Sequence, residues 1–114
     1  VSPKAAVVAE ASTTALTVAA HGGKNVTNTG AGGAVVYTLP AAADAAGVAL
    51  RIQVTAAQTV TLEPAGTDKV YLGGSGVAGK YALIAGVIGN FATIWSDGVD
   101  WHITAYSGVV TKEA

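Results

Sequence analysis

Apolar and polar residues alternate along this chain in short runs with a period of two, which predicts strands rather than helices. The clearest run is residues 91–106, FATIWSDGVDWHITAY. On its first arm Phe91, Thr93 and Trp95 share one face while Ala92, Ile94 and Ser96 share the other. On its second, Trp101, Ile103 and Ala105 alternate with His102, Thr104 and Tyr106. Asp97-Gly98 between them accepts the positive φ of a tight turn, so the segment predicts an antiparallel hairpin. Residues 48–55 repeat the pattern, with Leu50, Ile52 and Val54 opposed to Arg51, Gln53 and Thr55. Residues 59–63 continue it with Val60 and Leu62 inward, and the short link Ala56-Ala57-Gln58 predicts a second hairpin.

Shorter strands are expected at 15–19, 26–28, 35–39, 69–72 and 81–84, separated by Gly-, Asn- and Asp-rich turns. In 40–47, PAAADAAG, Pro40 suits a first helical position and Gly47 a stop, which predicts one or two helical turns. Residues 1–13 contain Pro3 and keep no period, so they predict an arm that orders only against a partner. Residues 111–114 read as a loose tail. The expected fold is all-β: a compact antiparallel β-sandwich or barrel-like (tulip-like) domain over 14–110, with one short helical turn and an extended N-terminal arm. Tyr37, Leu50, Ile52, Val54, Trp95, Trp101 and Ile103 are its expected core or subunit-interface residues.

Composition sharpens this picture. At 114 residues the chain forms one domain with a real core. Charged residues are only 11%, against roughly 25% in an average soluble protein. That leaves little to cover a solitary surface, so part of it is expected to face other protein, most simply in a homo-oligomer. The net charge of −1 and the scatter of Lys4, Lys24, Arg51, Lys69, Lys80 and Lys112 argue against nucleic acid as a partner. Without cysteine there is no disulfide, thiol catalysis or thiolate metal site. No apolar run approaches the roughly 20 residues of a membrane span, and no membrane partner is expected. The first twenty residues imitate a signal peptide, but Glu10 and Ser12-Thr13-Thr14 interrupt the apolar stretch. The lack of Met fits an initiator removed ahead of Val1, and on that reading a complete chain made in the cytoplasm is expected.

Chemistry-bearing motifs are weak. Residues 73–80, GGSGVAGK, satisfy both G-x-G-x-x-G and the start of a P-loop. Both patterns work only where the glycines lead into a helix, and here Tyr81 and a β-leaning run follow. A flexible hairpin loop is the better reading. His21 and His102 have no neighbours at metal-ligand spacing. Asp97 and Asp100 flank a turn, where aspartate usually bonds its own backbone. Ser96, His102 and Asp68 form a triad only on paper, without a nucleophile elbow. Asn25-Val26-Thr27 is a formal glycosylation sequon, read as coincidence. The aromatic residues could form a sugar-binding platform, with core or interface packing the plainer account. No catalysis, cofactor or metal is expected.

From Gly30 to Gly108 the order of features resembles a small β module recurrent in tailed-bacteriophage virion proteins. The resemblance rests on a glycine loop, VVYTLP at 35–40, an Ala-rich turn ending in Gly47, VTLEPAGTDKVYLGG at 60–74, GKY at 79–81, and the SDGVDW hairpin at 96–101. Such proteins are structural, either trimeric head-decoration (cement) proteins or modules of tail fibres and spikes. The chain departs from the fibre pattern in lacking a long shaft. The resemblance therefore implies a capsid decoration protein that binds the outer surface of the head as a homotrimer and stabilises the shell. Its partners would be itself and the major capsid protein. It further implies that Val1, Ser2, Pro3, Lys4, Val7 and Val8 of the arm reach onto the capsid or a neighbouring subunit. The alternative is a fibre or spike module binding a host receptor or glycan, with a patch around Tyr106 and His102. A small hydrolase or nucleotide-binding enzyme, acting through Lys80 or His102, is the reading from another class.

Overall fold

The computed structural model describes residues 6–113, where the alternating runs form an all-β sandwich of two sheets. The first sheet runs β1 (Val7–Ala9), β3 (Asn25–Thr27), β5 (Ala49–Gln53), β9 (Phe91–Ser96), β10 (Trp101–Ser107) and β7 (Val70–Tyr71), in that spatial order. The second runs β11 (Val110–Lys112), β8 (Ala82–Ile84), β6 (Val60–Glu63), β4 (Val35–Thr38) and β2 (Thr14–Ala15). Alternation along each strand sends Val26, Leu50, Ile52, Ala92, Ile94 and Trp101 inward from the first sheet. Val35, Tyr37, Val60, Leu62, Ala82 and Ile84 answer them from the second. Each large apolar side chain so buried is worth about 1.5–3 kcal/mol against exposure. Trp101, the largest, also satisfies its indole N–H on the Pro40 carbonyl at 3.1 Å.

The chain path explains how the sheets are held together. From β1 to β6 the chain changes sheet at every step. β1, β3 and β5 therefore lie parallel in one sheet, and β2, β4 and β6 parallel in the other. The C-terminal strands close this winding in the antiparallel sense, β9 on β5 and β8 on β6, then β10 on β9 and β11 on β8. β7 is added parallel to β10.

This path corrects the expected antiparallel pairing, which becomes mixed, and with it the second hairpin. β5 and β6 lie in opposite sheets, and their apolar faces meet across the core instead of side by side. The link 56–58 is a crossing held by the buried Asn28 side chain. Its amide donates to the carbonyls of Ala56 and Gln58 at 3.0 and 3.2 Å, and its oxygen accepts the N–H groups of Thr55 and Ala56 at 2.8 and 2.9 Å. The strand expected at 15–19 stops at Ala15 and gives way to a single helical turn, α1 (Val18–His21). Thr17 caps it, its hydroxyl accepting the Ala20 N–H at 3.1 Å, while the His21 Nδ1 accepts the Thr17 N–H at 2.9 Å. This reciprocal cap outweighs the β preference of a short Val-Ala run. The helical turn expected at 40–47 is a 3₁₀ turn at Ala42–Asp44, where the Asp68 carboxylate accepts the Ala42 N–H at 2.9 Å.

Among the described residues, strands reach into both the supposed arm and the supposed tail. Within the supposed arm, Val7–Ala9 is the edge strand β1, and the supposed tail contributes β11. Lys112 opposes Ala82 on the inner side of β11, and its ammonium donates to the carbonyls of Val70 and, at 3.1 Å, Ser75. That contact ties the second sheet to the first, and burial lowers the Lys112 pKa. The terminal hairpin forms as expected, with Gly98 at φ 93° in its loop. A register shift between Ile103 and Ala105 breaks the alternation of its second arm. Beyond this bulge Ala105 pairs with Thr93 and Tyr106 with Ala92, so Tyr106 leaves the His102 face.

Candidate functional site

The expected interface residues separate into two groups. Tyr37, Leu50, Ile52, Val54 and Trp101 are fully buried in the core, and Ile103 packs half-buried against it. Trp95 alone faces outward, 38% exposed. Of the arm, Val1, Ser2, Pro3 and Lys4 lie outside the described residues, Val7 is exposed and Val8 half-buried.

Several polar side chains that could carry chemistry are employed in holding turns. Asp97 Oδ1 accepts the N–H groups of Val99 and Asp100, each at 2.8 Å, while Oδ2 lies 2.7 Å from His102 Nε2. The Asp100 N–H, then the His102 ring and the Val99 N–H, hold the Asp97 carboxyl at about 2, below its ordinary 3.8. His102 is stacked between Tyr71 and Trp95, with ring centroids 5.0 and 5.3 Å away. The register demands this, because His102 pairs with Tyr71 on one side and with Trp95 on the other. Asp100 accepts the Lys69 N–H at 2.9 Å. Glu113 accepts the Tyr81 N–H at 3.1 Å and lies 3.8 Å from Lys80. The buried His21 lies 2.7 Å from Glu10 through Nε2, and because its Nδ1 accepts a backbone N–H, Nε2 is the nitrogen that donates.

The paper triad is not assembled. Ser96 points inward and donates to the Ala42 carbonyl at 2.7 Å, whereas His102 lies on the outer face and Asp68 caps the 3₁₀ turn. The glycine loop folds on itself, with Leu72 and Ser75 exchanging backbone hydrogen bonds of 3.0 and 3.2 Å, and it leads toward β8 rather than a helix. The sequon Asn25-Val26-Thr27 is the whole of β3, paired on both sides.

What pattern reading missed is an apolar end to the sandwich. Val87 is 61%, Ile88 66% and Val109 61% exposed. They sit on two loops joined by the Ala85 N–H to the Val109 carbonyl at 3.0 Å and braced by Asn90, whose amide donates to the Ala85 carbonyl at 3.0 Å. Tyr106, 51% exposed, stands near the end of the adjacent strand. The signal was available: Val87-Ile88 is an apolar pair between Gly86 and Gly89, where a turn ordinarily places polar residues. A fixed apolar surface of this kind cannot perform bond chemistry, but it can bury itself against protein. No protein-family model and no curated protein matches this chain.

Proposed function

We propose that the protein is a non-enzymatic virion structural subunit. It decorates the outer surface of a tailed-phage head as a homotrimer, contacts the major capsid protein and stabilises the shell. The observation that carries this reading is the exposed Val87, Ile88 and Val109 surface on a chain with so few charges. Loops anchored by Asn90 and by the Ala85–Val109 hydrogen bond present those side chains without a large ordering cost on association. The use of Asp68, Asp97, Asp100 and Glu113 as turn-holding acceptors supports a scaffold over a catalyst.

Light scattering across a concentration series tests the assembly. The expected species is about three times the 11.1 kDa monomer, and Ile88→Asp is expected to dissociate it while leaving the thermal midpoint of the subunit nearly unchanged. A monomer at every concentration overturns the reading. Sedimentation with undecorated heads then tests the location: the trimer should co-pellet, and failure to do so removes the capsid from the proposal.

A further inference from the structure

The outer face of the first sheet holds a groove whose lining does not include the residues of the apolar end. Its volume is about 410 Å³, and Asn25, Arg51, Ile52, Gln53, Phe91 and Thr93 line it. The register builds it. Asn25 pairs with Arg51 and Arg51 with Thr93, which makes one row across β3, β5 and β9, and Gln53 pairs with Phe91 in the next. The volume falls within the roughly 300–1,000 Å³ typical of small-molecule sites.

The charge in this groove is unanswered. Among the described residues ion pairs join His21 to Glu10, Lys80 to Glu113 and His102 to Asp97, and none reaches Arg51. The two rows, continued over Val7, Ala105, Ala9, Thr27 and Ser107, contain no acidic residue. A guanidinium presents a planar fork that matches a carboxylate with two parallel hydrogen bonds. The Asn25 and Gln53 amides and the Thr93 hydroxyl both donate and accept, as a ligand rich in hydroxyl groups requires. The half-buried Phe91 ring adds an apolar surface for the C–H side of a pyranose.

We propose that this groove binds a carboxylated sugar, a uronic- or sialic-type residue of an acidic glycan. A neutral sugar leaves the Arg51 charge unmatched, and a simple carboxylate leaves the amides and the ring unused. The site stands independently of the capsid reading, since it lies on a sheet face and not at the apolar end.

The test is an amide-resolved NMR titration of the intact protein with sodium glucuronate, N-acetylneuraminate, glucose and acetate. Glucuronate or N-acetylneuraminate should shift signals of residues 25–27, 51–53 and 91–93, with a Kd on the order of 1 mM for so open a site. Glucose and acetate should bind at least roughly tenfold more weakly. Arg51→Gln should remove the response while the remaining spectrum, reporting the fold, stays in place, because Arg51 is exposed. Equal binding of glucose refutes the role of the charge, and equal binding of acetate refutes the sugar. Shifts confined to other parts of the molecule, or none at tens of millimolar, overturn the site altogether.

Discussion

The winding half of the molecule, β1 to β6, and the antiparallel half, β8 to β11, bury similar side chains but solve the problem of their connections differently. Parallel neighbours cannot be joined by a tight turn, so each link in the winding half crosses from one sheet to the other. Its peptide groups must then find partners away from the ladders. Buried or half-buried side chains supply them: Asn28 at the 54–58 crossing, and Tyr37, whose hydroxyl donates to the Glu10 carbonyl beyond β1. The antiparallel half turns back on itself at 97–100, where Asp97 and the backbone bond their immediate neighbours. The crossings of the winding half are therefore held by long-range polar clamps, and the 97–100 turn by local ones. Loops of high sequence separation must close before such clamps can form, so the winding half should order late in folding and the terminal hairpin early.

The strongest way to break this comparison is Asn28→Ala. It strands the Thr55 and Ala56 N–H groups and the Gln58 carbonyl at the crossing, while the Ala56 carbonyl keeps the Gln58 N–H, and a loss of about 3 kcal/mol is expected from several unsatisfied groups together. If the clamp forms late, most of that loss should appear as faster unfolding with little change in folding rate. A chevron in which the folding limb falls instead would place the crossing in the transition state and reverse the proposed order.

The junction between the halves is the next place to press. A Cβ on Gly86 would stand 2.5 Å from the carbonyl carbon of Gln58, so the loop after β8 lies directly on the crossing that Asn28 holds. The neighbouring atoms are backbone and cannot swing aside. Gly86→Ala should therefore cost about 1–3 kcal/mol as an overpacking change, read from the denaturant midpoint at constant m-value. An unchanged midpoint would mean that the two halves are separable there.

The same contrast decides what could be read from the chain itself. The 91–106 hairpin was legible because an antiparallel pair writes its turn between its strands, and the inward faces of β5 and β6 were legible from their period. Their partners were not. The parallel contacts of Val7 with Asn25, of Asn25 with Arg51 and of Val35 with Val60 leave no turn signal, and Ala56-Ala57-Gln58 has the length of a hairpin link whether it turns or crosses. Only the burial of Asn28 decides it, and an asparagine in a polar loop announces nothing in one dimension. The bulge at Thr104 is equally silent, so alternation alone puts Tyr106 on the His102 face. At the apolar end Val87-Ile88 carried a signal, but as two residues it was too short for period arguments. The groove was half visible: Arg51 and Gln53 share a face by alternation, but Asn25 reaches them only through the parallel register.

A milder test of the clamp is Tyr37→Phe, which keeps the packed ring and deletes the hydroxyl. The Glu10 carbonyl loses its donor, for an expected cost of about 1 kcal/mol. Burial, and secondly the charge of Glu10, raises the Tyr37 pKa to about 12 from 10.0. The folded state thus favours the neutral phenol. Its contribution is full below pH 10, where the unfolded tyrosine is also protonated, and is lost as pH rises from 10 to about 12. The difference in thermal midpoint between wild type and variant should shrink over that interval. A constant difference would show that the hydroxyl is not held in the seam between the sheets.

The smallest effect is expected at the local clamp, and it has the opposite pH sign. The folded pKa of Asp97 is depressed from 3.8 to about 2, chiefly by the Asp100 N–H and next by His102. The ionised carboxylate is therefore favoured in the fold, and its contribution is present above pH 3.8 and lost as pH falls through about 2. Asp97→Asn keeps the acceptor oxygen for the loop but removes the charge facing His102, so wild type should be the more stable at neutral pH and the two proteins should converge toward pH 2. Because the group is exposed, solvent screens most of its electrostatic benefit. Such a change is too small for a reliable kinetic reading, and the pH profile rather than the chevron is the measurement to make. Convergence in acid at Asp97, against convergence in alkali at Tyr37, would show that the hairpin turn and the sheet-to-sheet seam are held by clamps of different charge state. A profile for Asp97→Asn that runs parallel to wild type down to pH 2 would mean that the backbone alone sets the turn.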